Sequence, residues 1–219
     1  LECSGPAHLY SLGFGVYALS SAFMAPRTVL RSVLSEMHRV VDVCGEICEL
    51  GILDGQDVFY IAKVESQDPI RIVSQVGMRL PACCTATGKA LLADFSEEDL
   101  HRLYGDTLPT VTAHSLTSFS ELASQLQAIR EGHLARGLRE SSREATSYAL
   151  PLRFRGSVAA SISVSVPLFR MSEEKEEVVG RELRKAKSKI EALMESRGEC
   201  IVPLNRSGKN ISGTCAPRI

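Results

Sequence analysis

Two stretches of this chain, residues 47–65 and 146–166, each hold two β-type runs joined by a tight-turn signal. ICELGIL and DVFYIAKVE flank Asp54-Gly55, and the runs 146–154 and 157–166 flank Arg155-Gly156. Glycine reaches the positive-φ conformations that short hairpin loops need, so both stretches are expected to be antiparallel hairpins. A further β-type run, IRIVSQV, follows Pro69. Hairpins early and late, with helices between them and at both ends, imply an α+β fold: an antiparallel sheet covered by helices. No βαβ series and no Gly-rich dinucleotide fingerprint is present.

The helices follow from spacing and caps. Pro26 opens a pattern in which Val29, Leu30, Val33, Leu34, Met37, Val40 and Val41 share one face. A helix is expected over Thr85–Asp94. Ser96, three residues before Asp99, caps a second that Gly105 ends. After an irregular stretch, Thr107–Thr117, Ser118 and Glu121 open a helix carrying Leu122, Leu126 and Ile129 that stops near Gly132. Ser172, followed by Glu173 and Glu174, suits the N-terminus of a last helix, where acidic groups oppose the positive dipole end. Its apolar stripe is Val179, Leu183, Ala186, Ile190 and Leu193, which serves as core or as an interface seam.

Composition excludes several classes. Among 219 residues there are 25 basic and 26 acidic side chains, so no bulk positive field draws the chain to nucleic acid. The basic run Arg181–Lys189 is interspersed with apolar residues and reads as a solvated helix face. Residues 5–26 lack Lys, Arg, Asp and Glu, but Gly, Ser, His, Tyr and Pro dilute the apolar run and no positive residue precedes it. Neither a signal peptide nor a membrane span is expected. Seven scattered cysteines, with no histidines at zinc-finger spacing, read as reduced core thiols of a cytoplasmic protein, with no metal and no cofactor. Asn210-Ile211-Ser212 matches a glycosylation sequon but has no secretory context. The first residue is Leu1, and the chain is expected to be a piece of a longer protein.

LPACCTATGKALLADFSEEDL, residues 80–100, raises two chemical possibilities. A phosphate loop needs a glycine five residues before its Gly-Lys pair and a hydroxyl directly after it, but positions 83 and 90 are cysteine and alanine. Cys83-Cys84 would need an activating base to serve as a nucleophile, and none of the five histidines stands at motif spacing. Both residues are therefore read as structural.

Ser161-Ile162-Ser163-Val164-Ser165-Val166 carries the most functional information. Period-two geometry sends the three serines to one face and the aliphatics to the other. If the aliphatic face meets a helical layer, the serine face meets either water or a pocket. Cys84-Thr85-Ala86-Thr87 is a small-residue loop that could close over those hydroxyls.

Four segments, in this order, resemble the effector-binding domain of IclR-type bacterial transcription regulators. They are LYSLG (9–13), LDGQDVFYIAKVES (53–66), VGMRLPACCTATGKALLA (76–93) and SVAASISVSVP (157–167), and the likeness spans about residues 9–195. The resemblance implies a GAF-like fold, a curved antiparallel sheet flanked by helices, with a small-molecule pocket on its concave face. It implies a homodimer or homotetramer that reaches DNA only through a winged helix-turn-helix preceding this domain. Residues 1–25 then correspond to the end of the wing and a linker helix and 26–196 to the effector-binding domain, while the aperiodic Gly, Ser, Pro, Asn and Cys composition of 197–219 reads as a mobile tail. Carried over by motif, Ala86 and Thr87 are the ligand-loop contacts, and Ser163 and Ser165 are the strand hydroxyls that hold a ligand carboxylate. Ile72 is an apolar wall, while Glu140, Ser147 and Tyr148 fall near the pocket in a segment, 138–148, that departs most from the family. The implied function is sensing of a small organic acid, not catalysis. A free-standing GAF-like binding domain and a thiol enzyme using Cys83 or Cys84 are the alternatives.

Overall fold

The computed structural model describes residues 2–4, 9–11, 15–16, 28–69, 72 and 74–201. A two-stranded antiparallel ribbon, β1 (Glu2–Ser4) and β2 (Leu9–Ser11), comes first. Helix α1 (Thr28–Cys44) leads into the first hairpin, β3 (Ile47–Asp54) and β4 (Asp57–Val64), which turns at a positive-φ Gly55. The chain continues through β5 (Arg79–Pro81), a 3-10 turn at Ala82–Cys84, α2 (Ala86–Leu91), α3 (Glu97–Tyr104) and α4 (Phe119–Arg130). Strands β6 (Ala135–Leu138), β7 (Ala145–Phe154) and β8 (Ser157–Pro167) and helix α5 (Glu173–Arg197) complete the described domain.

Six strands form one antiparallel sheet in the order β5-β4-β3-β8-β7-β6. Each hairpin carries a register shift, at Leu50/Gly51 and at Leu152/Arg153. An extra residue in one strand bends it and increases its twist, so two such shifts curl the sheet into a half-barrel. The expected α+β class and curved sheet are both present.

The convex face packs on α1 and α5. Val29, Val33, Met37 and Val40 of α1 and Val179, Leu183, Ala186 and Ile190 of α5 are buried with Leu50, Ile162, Val164 and Val166 of the sheet. Each helix supplies the stripe read from its spacing, with Leu34 and Leu193 at the margins. Glu182 of α5 pins the pair together through Arg39 of α1, and Glu36 of α1 meets Lys189 of α5 at 3.0 Å. The concave face carries α2–α4 through Val58, Tyr60, Cys83, Cys84, Ala86, Leu92, Leu100, Leu122, Leu126 and Ala149.

The caps fall where the sequence puts them. Ser96 and Asp99 form a reciprocal capping box, Ser118 accepts from Glu121 N, Ser172 accepts from Lys175 N, and Gly105 terminates α3. One expectation fails. Ile72 and residues 74–76 form no strand, and the edge strand begins three residues later at Arg79. The positive φ of Gly77 turns the chain, and Gly77 N bonds back to Tyr60 O, so residues 74–76 stand outside the ladder. Within the uncharged segment where a linker helix is expected, residues 9–11 form β2 and residues 15–16 are helical, while the rest of it and the tail beyond residue 201 lie outside the described residues. Among the described residues no helix is long and apolar enough to cross a membrane, and no cluster of three or more His, Cys, Asp or Glu is placed to hold a metal ion.

Candidate functional site

Loop 82–87 lies on the concave face because glycine lets it. A Cβ on Gly88 would stand 2.1 Å from Ala82 O, so only glycine allows α2 to fold this tightly against the preceding 3-10 turn. Thr85 caps α2 by accepting from Gly88 N at 2.9 Å. Lys89 then turns into the interior. It is fully buried and donates to Gln125 Oε1 (2.8 Å), Arg136 O (2.9 Å) and Glu140 Oε1 (2.6 Å). Burial pushes the Lys89 ammonium down and the Glu140 carboxyl up, while each holds the other charged. The Gly88-Lys89 pair is thus an anchor for α2, with no phosphate role.

Beside this anchor a cavity of about 440 Å³ opens between the ends of β3, β4, β7 and β8. Its polar side is formed by Glu49, Ser74, Thr85, Ser147 and Ser165, and its apolar side by Ile72, Met78, Leu80, Pro167 and Phe169. Tyr60 and Glu144 also line it. Glu49 is buried on the concave face, paired across the ladders with Lys63 of β4 and Ser163 of β8. Ser165 Oγ donates to Glu49 Oε2 at 3.0 Å. Burial pushes the Glu49 carboxyl above its ordinary value, and hydrogen bonds from Ser74 and Ser165 and the charge of Lys63 oppose that shift. Burial likewise pushes the Tyr60 phenol up, against hydrogen bonding with the Thr87 and Thr85 hydroxyls. No Lys, Arg or His stands among the described lining residues.

The residues singled out from sequence divide into three groups. Ser165, Ser147 and Ile72 line the cavity together. Ser163 and Thr87 lie behind its wall, where Thr87 Oγ1 donates to Ser163 Oγ at 2.9 Å and joins α2 to β8, and Ala86 is fully buried against them. The serine face is therefore not wetted: α2 covers Ser161 and Ser163, and Ser161 Oγ donates to Leu150 O instead. Glu140 and Tyr148 are placed elsewhere. Glu140 borders a separate cavity of about 880 Å³ between α4, β6 and α5. Tyr148 alternates with Ser147 along β7 and faces the convex side, where its hydroxyl donates to Glu176 Oε2 at 2.9 Å.

Glu49 and Ser74 escaped the sequence reading. A signal for Glu49 existed, because one carboxylate interrupts the apolar run ICELGIL at a position of the sheet-forming period. Ser74 carried none, since it sits in a run that read as a strand. Cys83 and Cys84 are fully buried, 3.8 Å apart, with Cys84 Sγ 3.1 Å from Pro109 O. Their shared hydrogen bond pushes the Cys83 thiol up and holds Cys84 down, to about 7.

A curled antiparallel sheet of this kind has counterparts. The family model described as bacterial transcriptional regulator IclR C-terminal matches residues 23–192. The chain belongs to the IclR family. Among curated relatives it is 36% identical over 138 residues to the probable transcriptional regulator SauR of Cupriavidus necator, covering 62% of this chain and 55% of that protein. It is 30% identical over 192 residues to the regulator KdgR of Escherichia coli, covering 87% of this chain and 73% of KdgR. The chain thus spans little more than half the length of SauR. The crystal structure of the KdgR C-terminal domain superposes with a TM-score of 0.66 at 29% identity, covering 76% of this chain and 98% of that one. An IclR homologue from Microbacterium hydrocarbonoxydans, solved in complex with 4-hydroxybenzoate, gives 0.73 at 25% identity, covering 88% of this chain and 78% of that one.

Proposed function

We propose that this chain is the ligand-sensing domain of an IclR-type transcription regulator. The cavity takes a small organic acid as effector, and its occupancy modulates a DNA-reading winged helix-turn-helix that acts within a homodimer or homotetramer. Residues 26–196 are the sensing unit, preceded by the end of the wing and a linker. The observation that carries this reading is the cavity itself: a half-enclosed space on the concave face with hydroxyls from Ser74, Thr85, Ser147 and Ser165 on one side and apolar walls on the other. Pockets of this size and mixed lining suit small metabolites. That a homologue was solved with 4-hydroxybenzoate supports a carboxylate-bearing effector of similar size.

No catalytic role is assigned. The two adjacent thiols are fully buried, with their sulfurs directed toward each other and toward Pro109 O, away from the cavity. A cytoplasmic location accords with these reduced thiols.

The test is native mass spectrometry of the freshly purified chain, with identification of any bound small molecule, followed by calorimetric titration of the stripped protein. Saturable binding that Ser147→Ala weakens by about tenfold supports the assignment, since losing one hydrogen bond to a charged group costs on the order of 1.5–3 kcal/mol. Binding unchanged by both Ser165→Ala and Ser147→Ala places the effector elsewhere.

A further inference from the structure

We propose that Glu49 makes this cavity select effectors that present a hydrogen-bond donor, a hydroxyl or an ammonium group, to its floor. The inference rests on the cavity being the effector site. Glu49 lines the cavity although its side chain is almost wholly covered, and it stands mid-strand in β3 with Ser163 directly opposite on β8. An ionised carboxylate only accepts hydrogen bonds. Ser165 Oγ occupies one oxygen at 3.0 Å and Ser74 contributes a second hydroxyl, which leaves the carboxylate with unused acceptor capacity toward the cavity. Lys63, its cross-strand neighbour, holds its ammonium on Ser74 O at 2.6 Å and on Glu65 Oε1 at 2.7 Å. That charge tempers Glu49 without covering it.

The remaining lining sharpens the selection. The other carboxylate, Glu144, stands exposed, and no described lining residue is a Lys, Arg or His. A ligand that turned an acceptor toward Glu49 would bury like against like and leave a polar group without a partner. A site built to pair a donor rejects an isostere lacking it far more strongly than an apolar site rejects one methylene. The apolar wall of Ile72, Met78, Leu80 and Phe169 suits the body of such a ligand. A carboxylate on the effector therefore belongs at the end remote from Glu49, and the effector class is a hydroxy or amino acid with a small apolar body.

Four probes of similar size test this by calorimetry on the chain as it stands: benzoate, benzyl alcohol, benzylamine and 4-hydroxybenzoate. The expected result is that 4-hydroxybenzoate, and one of the alcohol and the amine, bind about tenfold tighter than benzoate, the factor of one well-placed hydrogen bond to a charged group. Glu49→Gln separates the two donors. It removes the advantage of benzylamine but keeps that of benzyl alcohol, whose hydroxyl still donates to the amide oxygen. Glu49→Ala removes both, and Glu49→Leu, of similar volume and without an acceptor, decides the matter if the alanine variant does not fold. Benzoate binding as tightly as the donors, or a ranking that Glu49→Gln and Glu49→Ala both leave intact, overturns the role of Glu49 while the effector cavity stands. No saturable binding by any of the four at about 10 mM, a free energy weaker than about 3 kcal/mol, overturns both.

Discussion

Replacing Lys89 by methionine keeps most of the side-chain volume and removes one charge from a fully buried pair. The ammonium donates three hydrogen bonds, to α4 through Gln125, to β6 through Arg136 O and to Glu140. Lys89 bonds Glu140 Oε1, while Glu140 Oε2 is buried without a hydrogen-bond partner, so without Lys89 a buried carboxylate would lose its counter-charge. Breaking a buried ion pair by deleting one partner costs about 3–5 kcal/mol. For a chain of this size, at about 2–4 °C per kcal/mol, Tm should fall by roughly 6–20 °C. Urea denaturation followed by far-UV circular dichroism measures the loss. The double variant Lys89→Met/Glu140→Leu should recover most of it, because an apolar pair of similar volume avoids the cost of desolvating charge. A single-variant loss below about 1 kcal/mol, the range of an exposed pair, would refute the reasoning. So would a double variant as unstable as the single one.

Ser163→Ala should act on stability rather than on ligand affinity: it removes the acceptor for Thr87 Oγ1 behind the cavity wall, and urea titration should show a loss of about 1–3 kcal/mol. Gly88→Ala should destabilise severely or prevent folding, read as loss of a cooperative thermal transition, since the added carbon would meet the backbone of Ala82. The Glu182 carboxyl is held down to about 2 by hydrogen bonds from Lys185, Arg39 and Arg181, against an ordinary value of 4.5. A depressed folded value means that its stabilisation is complete above 4.5 and is lost as pH falls toward 2. Acid titration of Glu182→Gln should accordingly be flatter than that of the parent across this window. Peptide mapping after maleimide labelling should find Cys83 and Cys84 unmodified in the folded chain and labelled only on unfolding; rapid native labelling would return the thiol to consideration as a nucleophile.

The scaffold was legible because short-range signals and long-range packing agree in it. Gly55 and Gly156 turn the two hairpins, and Ser96, Ser118 and Ser172 cap the helices they were read to cap. The stripes of α1 and α5 bury the residues that their spacing selects. The site was legible only in part. Alternation places Ser161, Ser163 and Ser165 on one face but says nothing of what covers each one. α2 reaches across two of them and leaves the third to the cavity, a tertiary arrangement with no period of its own. Tyr148 failed for the opposite reason: its neighbour Ser147 occupies the cavity side, and a strand cannot send both inward. Residues 74–76 close a run with the composition of a strand, but the turn at Gly77 keeps them out of the ladder.

The sheet between cavity and convex core is a single strand thick, as β3 illustrates. Glu49 faces the cavity, while Cys48 and Leu50, one peptide bond to either side, are fully buried in the core under α1 and α5. A close-packed core has no slack in which to lose a displacement. Any pull or push on Glu49 reaches the seat of α1 after one residue, as pressure on one face of a drumhead is felt on the other. Because α1 is clasped to α5 through Arg39 and Glu36, the two helices would take up that movement as one body.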